Sequence, residues 1–266
     1  MQATSTGINR SGAAVSPEGF DAMIDAMRLY SPPSAIESSA LEEIRAQCVA
    51  QADAIGSIPP PVTLKGMVST GLGKVMGDRP ELLMDKLGER LAFERSGVRL
   101  YEALMVKCRA ALAEGTHLPA GPADDAMPDD AGATAPGLED PLDTLARIRG
   151  EELAHFHLLS DTMQELGGDP TAQTPCADVS ATASMGLLQV ITDPRTTLAQ
   201  SLNALLTVEL TDNAGWEMLI ELAESEGKSQ IAARFTIALE EEAGHLRIVR
   251  RWLSTLLAAQ KSSAAI

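Results

Sequence analysis

From residue 80 onward, apolar residues recur every three to four positions in four long segments, about 80–113, 141–167, 196–226 and 229–258, and this period predicts four amphipathic helices. Ahead of them, Ser16-Pro17-Glu18 has the form of a helix start, with Phe20, Met23, Ile24 and Met27 at helical spacing until Ser31-Pro32-Pro33 ends the run. A second short helix is expected in the segment 34–56, stopping before Pro59-Pro60-Pro61, which we take as the boundary between arm and main domain. Residues 62–79 carry four glycines among apolar residues and are assigned no element. The reading is therefore an N-terminal arm over 1–79, a four-helix bundle over 80–259 and a tail over 260–266.

The connections set the order of the helices in space. Residues 114–140 are acidic and rich in Gly, Pro and Ala, the composition of a flexible surface excursion. The second connection, roughly 168–195, is also long and is expected to be anchored by Met185, Leu187, Leu188 and Val190. The third, around Gly227, is short and makes the last two helices an antiparallel hairpin. A long second link can cross the length of the bundle.

Composition narrows the class. Aromatics make up 3% of the chain and Ala and Leu abound, which favours helices over sheets and an all-α fold. Lys and Arg number 21 against 37 Asp and Glu, a formal charge of −16, which disfavours nucleic acid and anionic membranes and favours cations. No signal-peptide core and no uninterrupted apolar span of membrane length is evident, so a cytoplasmic location is expected. Cys48, Cys108 and Cys176 form no Cys-x-x-Cys pair and are expected to be reduced thiols.

The candidate chemistry lies on the apolar stripes. Steps of three and four give Leu87, Leu91, Glu94, Val98, Tyr101, Met105 and Cys108 in the first long helix, and Leu145, Ile148, Glu152, His155, Leu159 and Leu166 in the second. The third gives Leu202, Leu205, Glu209, Asp212, Trp216 and Leu219, and the fourth Phe235, Ala238, Glu242, His245, Val249, Trp252 and Leu256. Each stripe is interrupted by acid near its middle, so the four interruptions should meet in one layer. Carboxylates buried together repel one another and are expensive to desolvate, so the layer points to cations among them. Glu-x-x-His places a carboxylate and an imidazole one turn apart; Glu152 and Glu242 can then bridge two metals, with His155 and His245 capping one each and Glu94 and Glu209 as terminal ligands. Oxygen and nitrogen ligands together suit iron or manganese. The competing reading is a solvated face or a buried polar network without metal.

This ligand order resembles that of the ferritin-like superfamily, within it the rubrerythrins and bacterioferritins, over about residues 80–259. The resemblance implies a ferritin-like four-helix bundle holding two Fe ions, with Mn or mixed Fe/Mn as variants, at Glu94, Glu152, His155, Glu209, Glu242 and His245. It implies a rubrerythrin-like oxidoreductase reacting with dioxygen or hydrogen peroxide. A ferroxidase or iron-storage protein, or a structural metal-binding bundle, are the alternatives. The four-cysteine rubredoxin module of rubrerythrins is missing, so an enzyme would need an external electron donor; a homodimer is also open.

Around these residues, Asp212 reads as an extra ligand, as an acceptor orienting a ligand histidine, or as a plain helix-face acid. Tyr101 and Trp216 read as electron relays or as core. Gly97 and Gly244, inside helices beside the ligands, suggest close helix approach or access for a small oxidant. Glu151, Glu240 and Glu241 flank the ligands at the wrong angle and are expected in solvent, as is His157. His117 and the acids of 124–130 fall in the loop, and Arg247, Arg250 and Arg251 complement the last helix's dipole.

Overall fold

The computed structural model describes residues 16–31, 39–52, 80–122 and 138–263. The chain divides into two units, Met1–Ala54 and Ile55–Ile266. The first contains α1 (Pro17–Tyr30), with Pro17 in its first turn, and α2 (Ser39–Gln51). No residue of α1 is buried: Met23 and Met27 are exposed and Phe20 and Ile24 only half covered. The triple proline and the segment 62–79 lie outside the described residues, as do the acids of 124–130.

The second unit holds α3 (Pro80–Ala113), α4 (Pro141–Glu165), α5 (Pro175–Thr192), α6 (Leu198–Ser225) and α7 (Ser229–Ser263). Among the described residues the fold is all-α apart from one short antiparallel pairing of β1 (Gly121–Pro122) with β2 (Leu138–Glu139) at the base of the first connection. Local chemistry sets the helix ends. Asp140 caps α4 by accepting from the amides of Leu142 and Asp143, with Pro141 in the first turn, and Thr197 and Gln200 form a reciprocal capping box on α6. Gly227, at φ 69°, closes α6: its amide bonds to the Glu224 carbonyl while that of Lys228 bonds to Ala223, which turns the chain directly into α7.

Two departures from expectation concern this unit. The second connection contains an ordered helix, α5, capped by Thr174 with Pro175 in its first turn. Of its expected anchors, Met185, Leu188 and Val190 are exposed and only Leu187 packs on the core; fully buried Ile191 is the real anchor. The last helix runs on to Ser263, so most of the expected tail is helical.

The apolar core is split in two. One cluster takes Tyr101, Leu104 and Cys108 from α3, Leu145 and Ile148 from α4, Leu202 and Leu205 from α6, and Val249 and Trp252 from α7. The other takes Leu83 and Leu87, Leu159 and Met163, Trp216 and Leu219, and Phe235 and Ala238 from the same helices. On α3 and α7 the numbering passes from the second cluster to the first; on α4 and α6 it passes the other way. Helices α3 and α7 are therefore parallel to each other and antiparallel to α4 and α6. Because α4 and α6 run alike, the chain between them must return along the full length of the bundle. Helix α5 makes that return beside α3: Thr174 bonds to the Asp85 carbonyl near its start, and Lys107 reaches the Asp193 carbonyl at its end.

Candidate metal centre

Between the two apolar clusters lie Glu94 of α3, Glu152 and His155 of α4, Glu209 and Asp212 of α6, and Glu242 and His245 of α7, all at most 2% exposed. Every expected ligand is thus brought to one layer. The ligand atoms form three groups, each within 4.8 Å: Glu152, Glu209, Glu242 and His245; Glu94, His155 and Glu242; and Glu94, Glu152, Asp212 and Glu242. Glu242 belongs to all three and Glu152 to two, while Glu209 with His245 and Glu94 with His155 mark two separate ends. Such a cluster of carboxylates and imidazoles could hold a metal ion.

The bonding of the layer tests whether cations fit it. Both oxygens of Glu94 and of Glu152, Oε2 of Glu209 and Oε1 of Glu242 are buried without a hydrogen-bond partner. Orphaned buried acceptors of this kind are uncommon in folded proteins, and each ionised one costs several kcal/mol unless compensated. Cations in the layer would compensate them all. Both imidazoles present Nδ1 to the carboxylates, that of His155 lying 2.8 Å from Glu242 Oε1 and that of His245 3.2 Å from Glu242 Oε2.

The outer nitrogens correct one expectation. Glu151 and Glu241 do not stand free in solvent. Oε2 of Glu241 on α7 lies 2.7 Å from His155 Nε2 on α4, and Oε2 of Glu151 on α4 lies 2.8 Å from His245 Nε2 on α7. The two bonds are reciprocal across the helix pair, and Arg147 holds Glu151 from the far side through both oxygens at 2.9 Å. A carboxylate on Nε2 fixes the tautomer that leaves Nδ1 free for a cation. The missed signal was the doublet, Glu151-Glu152-x-x-His155 and Glu241-Glu242-x-x-His245: the first acid of each serves the histidine of the other. Glu240 and His157 are exposed, as expected. Glu151→Gln and Glu241→Gln are each expected to weaken divalent-metal binding by about 10- to 100-fold with the fold intact, measured by competition with a chelating dye.

Tyr101 donates from its hydroxyl to Glu209 Oε1 at 2.5 Å, so it is tied to a ligand as well as packed in the core. Trp216 meets the His155 ring edge-on at 5.5 Å. Asp212 touches no ligand histidine; Oδ1 pairs with buried Arg90 Nη1 at 2.7 Å, a residue that the stripes passed over although it stands one turn before Glu94 on the same face. Gly97 has a purpose that a Cβ reveals, since one placed there would lie 1.9 Å from Glu152 Oε2. Gly244 is buried.

Burial, then repulsion from Asp212 and Glu242, pushes Glu94 well above the usual carboxylate range, and burial does the same to Glu209. Asp212 rises to about 8, burial outweighing the pull of Arg90. For Glu242 burial is outweighed by His245 and His155, which bring it down to about 2. His155 rises to about 9 because Glu241 and Glu242 outweigh burial, and His245 also rises well above its ordinary value, chiefly through Glu242. Without metal, then, burial and the neighbouring charges favour the protonated forms of Glu94, Glu209, Asp212 and both histidines and the ionised form of Glu242.

The sign of the pH dependence follows. A raised His155 contributes stability fully below its ordinary 6.5 and loses it as pH rises through about 9; Asp212, raised from 3.8 to about 8, likewise favours the folded state less as pH climbs. Metal takes the place of these protons, so its binding strengthens over the same window. The gain in Tm on adding Mn(II) is expected to grow steadily from about pH 6 to pH 9. Differential scanning calorimetry across that range reads it.

Comparison with family models, curated proteins and solved structures finds no match. Among the described residues no helix is long and apolar enough to cross a membrane.

Proposed function

We propose that the chain is a dimetal carboxylate protein of ferritin-like architecture that binds two iron ions, with manganese or a mixed pair as variants, and reacts with dioxygen or hydrogen peroxide as a rubrerythrin-like oxidoreductase. The observation that carries this reading is the layer of buried, unpartnered carboxylate oxygens facing two histidine Nδ1 atoms. Two parallel helix pairs joined by a full-length crossover support the architecture.

Glu152 and Glu242 would hold both ions, Glu94 and His155 one, Glu209 and His245 the other. When bound, iron supplies the redox equivalents and Lewis acidity for oxidant reduction that the side chains lack. The protein's own part is geometric and protonic. Glu151 and Glu241 hold the protons on the outer histidine nitrogens; Tyr101, kept protonated by burial and by the neighbouring Glu209 charge, holds one at Glu209 Oε1. The apolar clusters above and below keep bulk water out. Electrons come from an external donor.

The test is anaerobic loading with Fe(II), then exposure to oxygen or to peroxide, followed by Mössbauer spectroscopy, with Glu152→Ala/Glu242→Ala as control. A coupled diferric pair that the control lacks, formed faster with peroxide than with oxygen, supports a peroxidase. Iron that is bound but not oxidised by either reagent contradicts the redox reading and leaves a structural metal site.

A further inference from the structure

The reading above leaves a fifth buried carboxylate, Asp212, without a role, and a fully enclosed arginine beside it. Asp212 is within reach of the cations: one of its oxygens lies within 4.8 Å of ligand atoms of Glu94, Glu152 and Glu242. Nothing in its chemistry separates it from the six ligands. What separates it is how closely Arg90, itself only 4% exposed, pairs with it: 2.7 Å from Asp212 Oδ1 against 3.8 Å from Glu94 Oε1.

Arg90 is attached to the same turn of α6 that carries Asp212. Its Nη1 lies 2.7 Å from Asp212 Oδ1 and donates to the backbone carbonyls of Asp212 at 3.1 Å and Thr211 at 3.4 Å. The guanidinium stacks over the Phe93 ring, 4.1 Å from its centroid. Gly215, one turn further along α6, leaves the space for it, because a Cβ there would lie 2.1 Å from Nη1. A cation held by side chain, backbone and ring in a built cradle is a fixed part of the site, unlike a long side chain seeking a chance partner.

We infer that Arg90 is a positioning residue that keeps Asp212 out of the metal coordination shell, limiting the site to six protein ligands. This rests on the dimetal reading. A guanidinium at this distance neutralises Asp212 and repels a dication approaching its other oxygen. It also sets the charge of the layer once metal has displaced its protons: five ionised carboxylates less one buried guanidinium leave four negative charges, which two divalent ions match. Without Arg90 the layer would carry one charge too many for two divalent ions, and Asp212 would turn to them as a seventh ligand.

The experiment is anaerobic Co(II) titration of the full chain followed by visible absorption, in which a higher coordination number lowers the ligand-field intensity. Asp212→Asn, which keeps an oxygen acceptor for Arg90, is expected to reproduce the wild-type stoichiometry and spectrum. Arg90→Met is expected to bind Co(II) about tenfold more tightly with a weakened visible band, and Arg90→Met/Asp212→Asn to restore the wild-type spectrum. A merely structural Arg90 would not produce a spectral change that a second substitution at Asp212 reverses. An altered spectrum in Asp212→Asn, or a wild-type spectrum in Arg90→Met, overturns the inference. If Arg90→Met does not fold, Arg90→Gln takes its place, with the same weakened band expected and the same reversal by Asp212→Asn, and a wild-type spectrum there overturns the inference. Failure of the wild-type chain to take up Co(II) is a different outcome, since it removes the dimetal reading itself.

Discussion

Gly97→Ala is expected to abolish stoichiometric metal binding while leaving the metal-free fold at least as stable as it is. Gly97 lies on α3 one turn beyond Glu94, and an alanine Cβ would meet Glu152 Oε2 at 1.9 Å and Cδ at 2.8 Å. The obstructed atoms are the far end of a flexible side chain, so the carboxylate gives way before the backbone does. In the helix interior, alanine is favoured over glycine by about 0.5–1 kcal/mol, which offsets the cost of the shift. Metal binding has no such relief, because Glu152 belongs to two of the three groups of ligand atoms that could hold an ion. Its displacement is expected to weaken binding by at least about 100-fold. Calorimetric titration with Mn(II), paired with urea unfolding of the metal-free variant, separates the two effects. A variant that binds normally would mean that Glu152 points elsewhere when the site is filled.

The second large effect is a contrast between two isosteric changes. Burial and its acidic neighbours push Glu94 up and so favour its protonated form; Glu94→Gln imitates that form and is expected to leave metal-free stability unchanged or improved. Glu242, held down at about 2 by two histidines, is the carboxylate that stays ionised. Glu242→Gln removes the carboxylate at Nδ1 of both buried imidazoles, which keep Glu241 and Glu151 at Nε2, so it is expected to destabilise the metal-free chain by less than the about 3–5 kcal/mol of a fully broken buried pair. Both variants are expected to lose metal: Glu94→Gln at the His155 end, Glu242→Gln at both positions. Urea unfolding without metal reads the first part and metal analysis after dialysis the second. Equal metal-free stability in the two variants would contradict the division of charge described here.

What could be read from the chain alone was whatever lies along a single helix. The stripes Leu87 to Cys108, Leu145 to Leu166, Leu202 to Leu219 and Phe235 to Leu256 follow from 3.6-residue geometry, and every mid-stripe acid and histidine on them proved buried in one layer. Features that depend on a second helix were not accessible in the same way. Glu151 and Glu241 point sideways on their own helices, so angular reasoning put them in solvent; only the facing helix supplies the histidine that each one holds. Arg90 escaped notice because a charged residue next to an apolar row normally faces water, and its cradle, Gly215, lies more than a hundred residues away on α6. Helix α5 falls within the expected long second connection, since its residues are small and polar over SATAS, and Met185, Leu188 and Val190 give it no clean buried face.

The central claim is that this layer is a two-metal site and not a buried polar network. The most direct measurement is equilibrium binding of Fe(II) to the metal-free chain under anaerobic conditions, with bound metal counted by elemental analysis and Glu152→Ala/Glu242→Ala run alongside. The account predicts a plateau of two ions per chain, falling to none in the double variant. A wild-type chain that retains no iron, or a double variant that retains as much as the wild type, would contradict it.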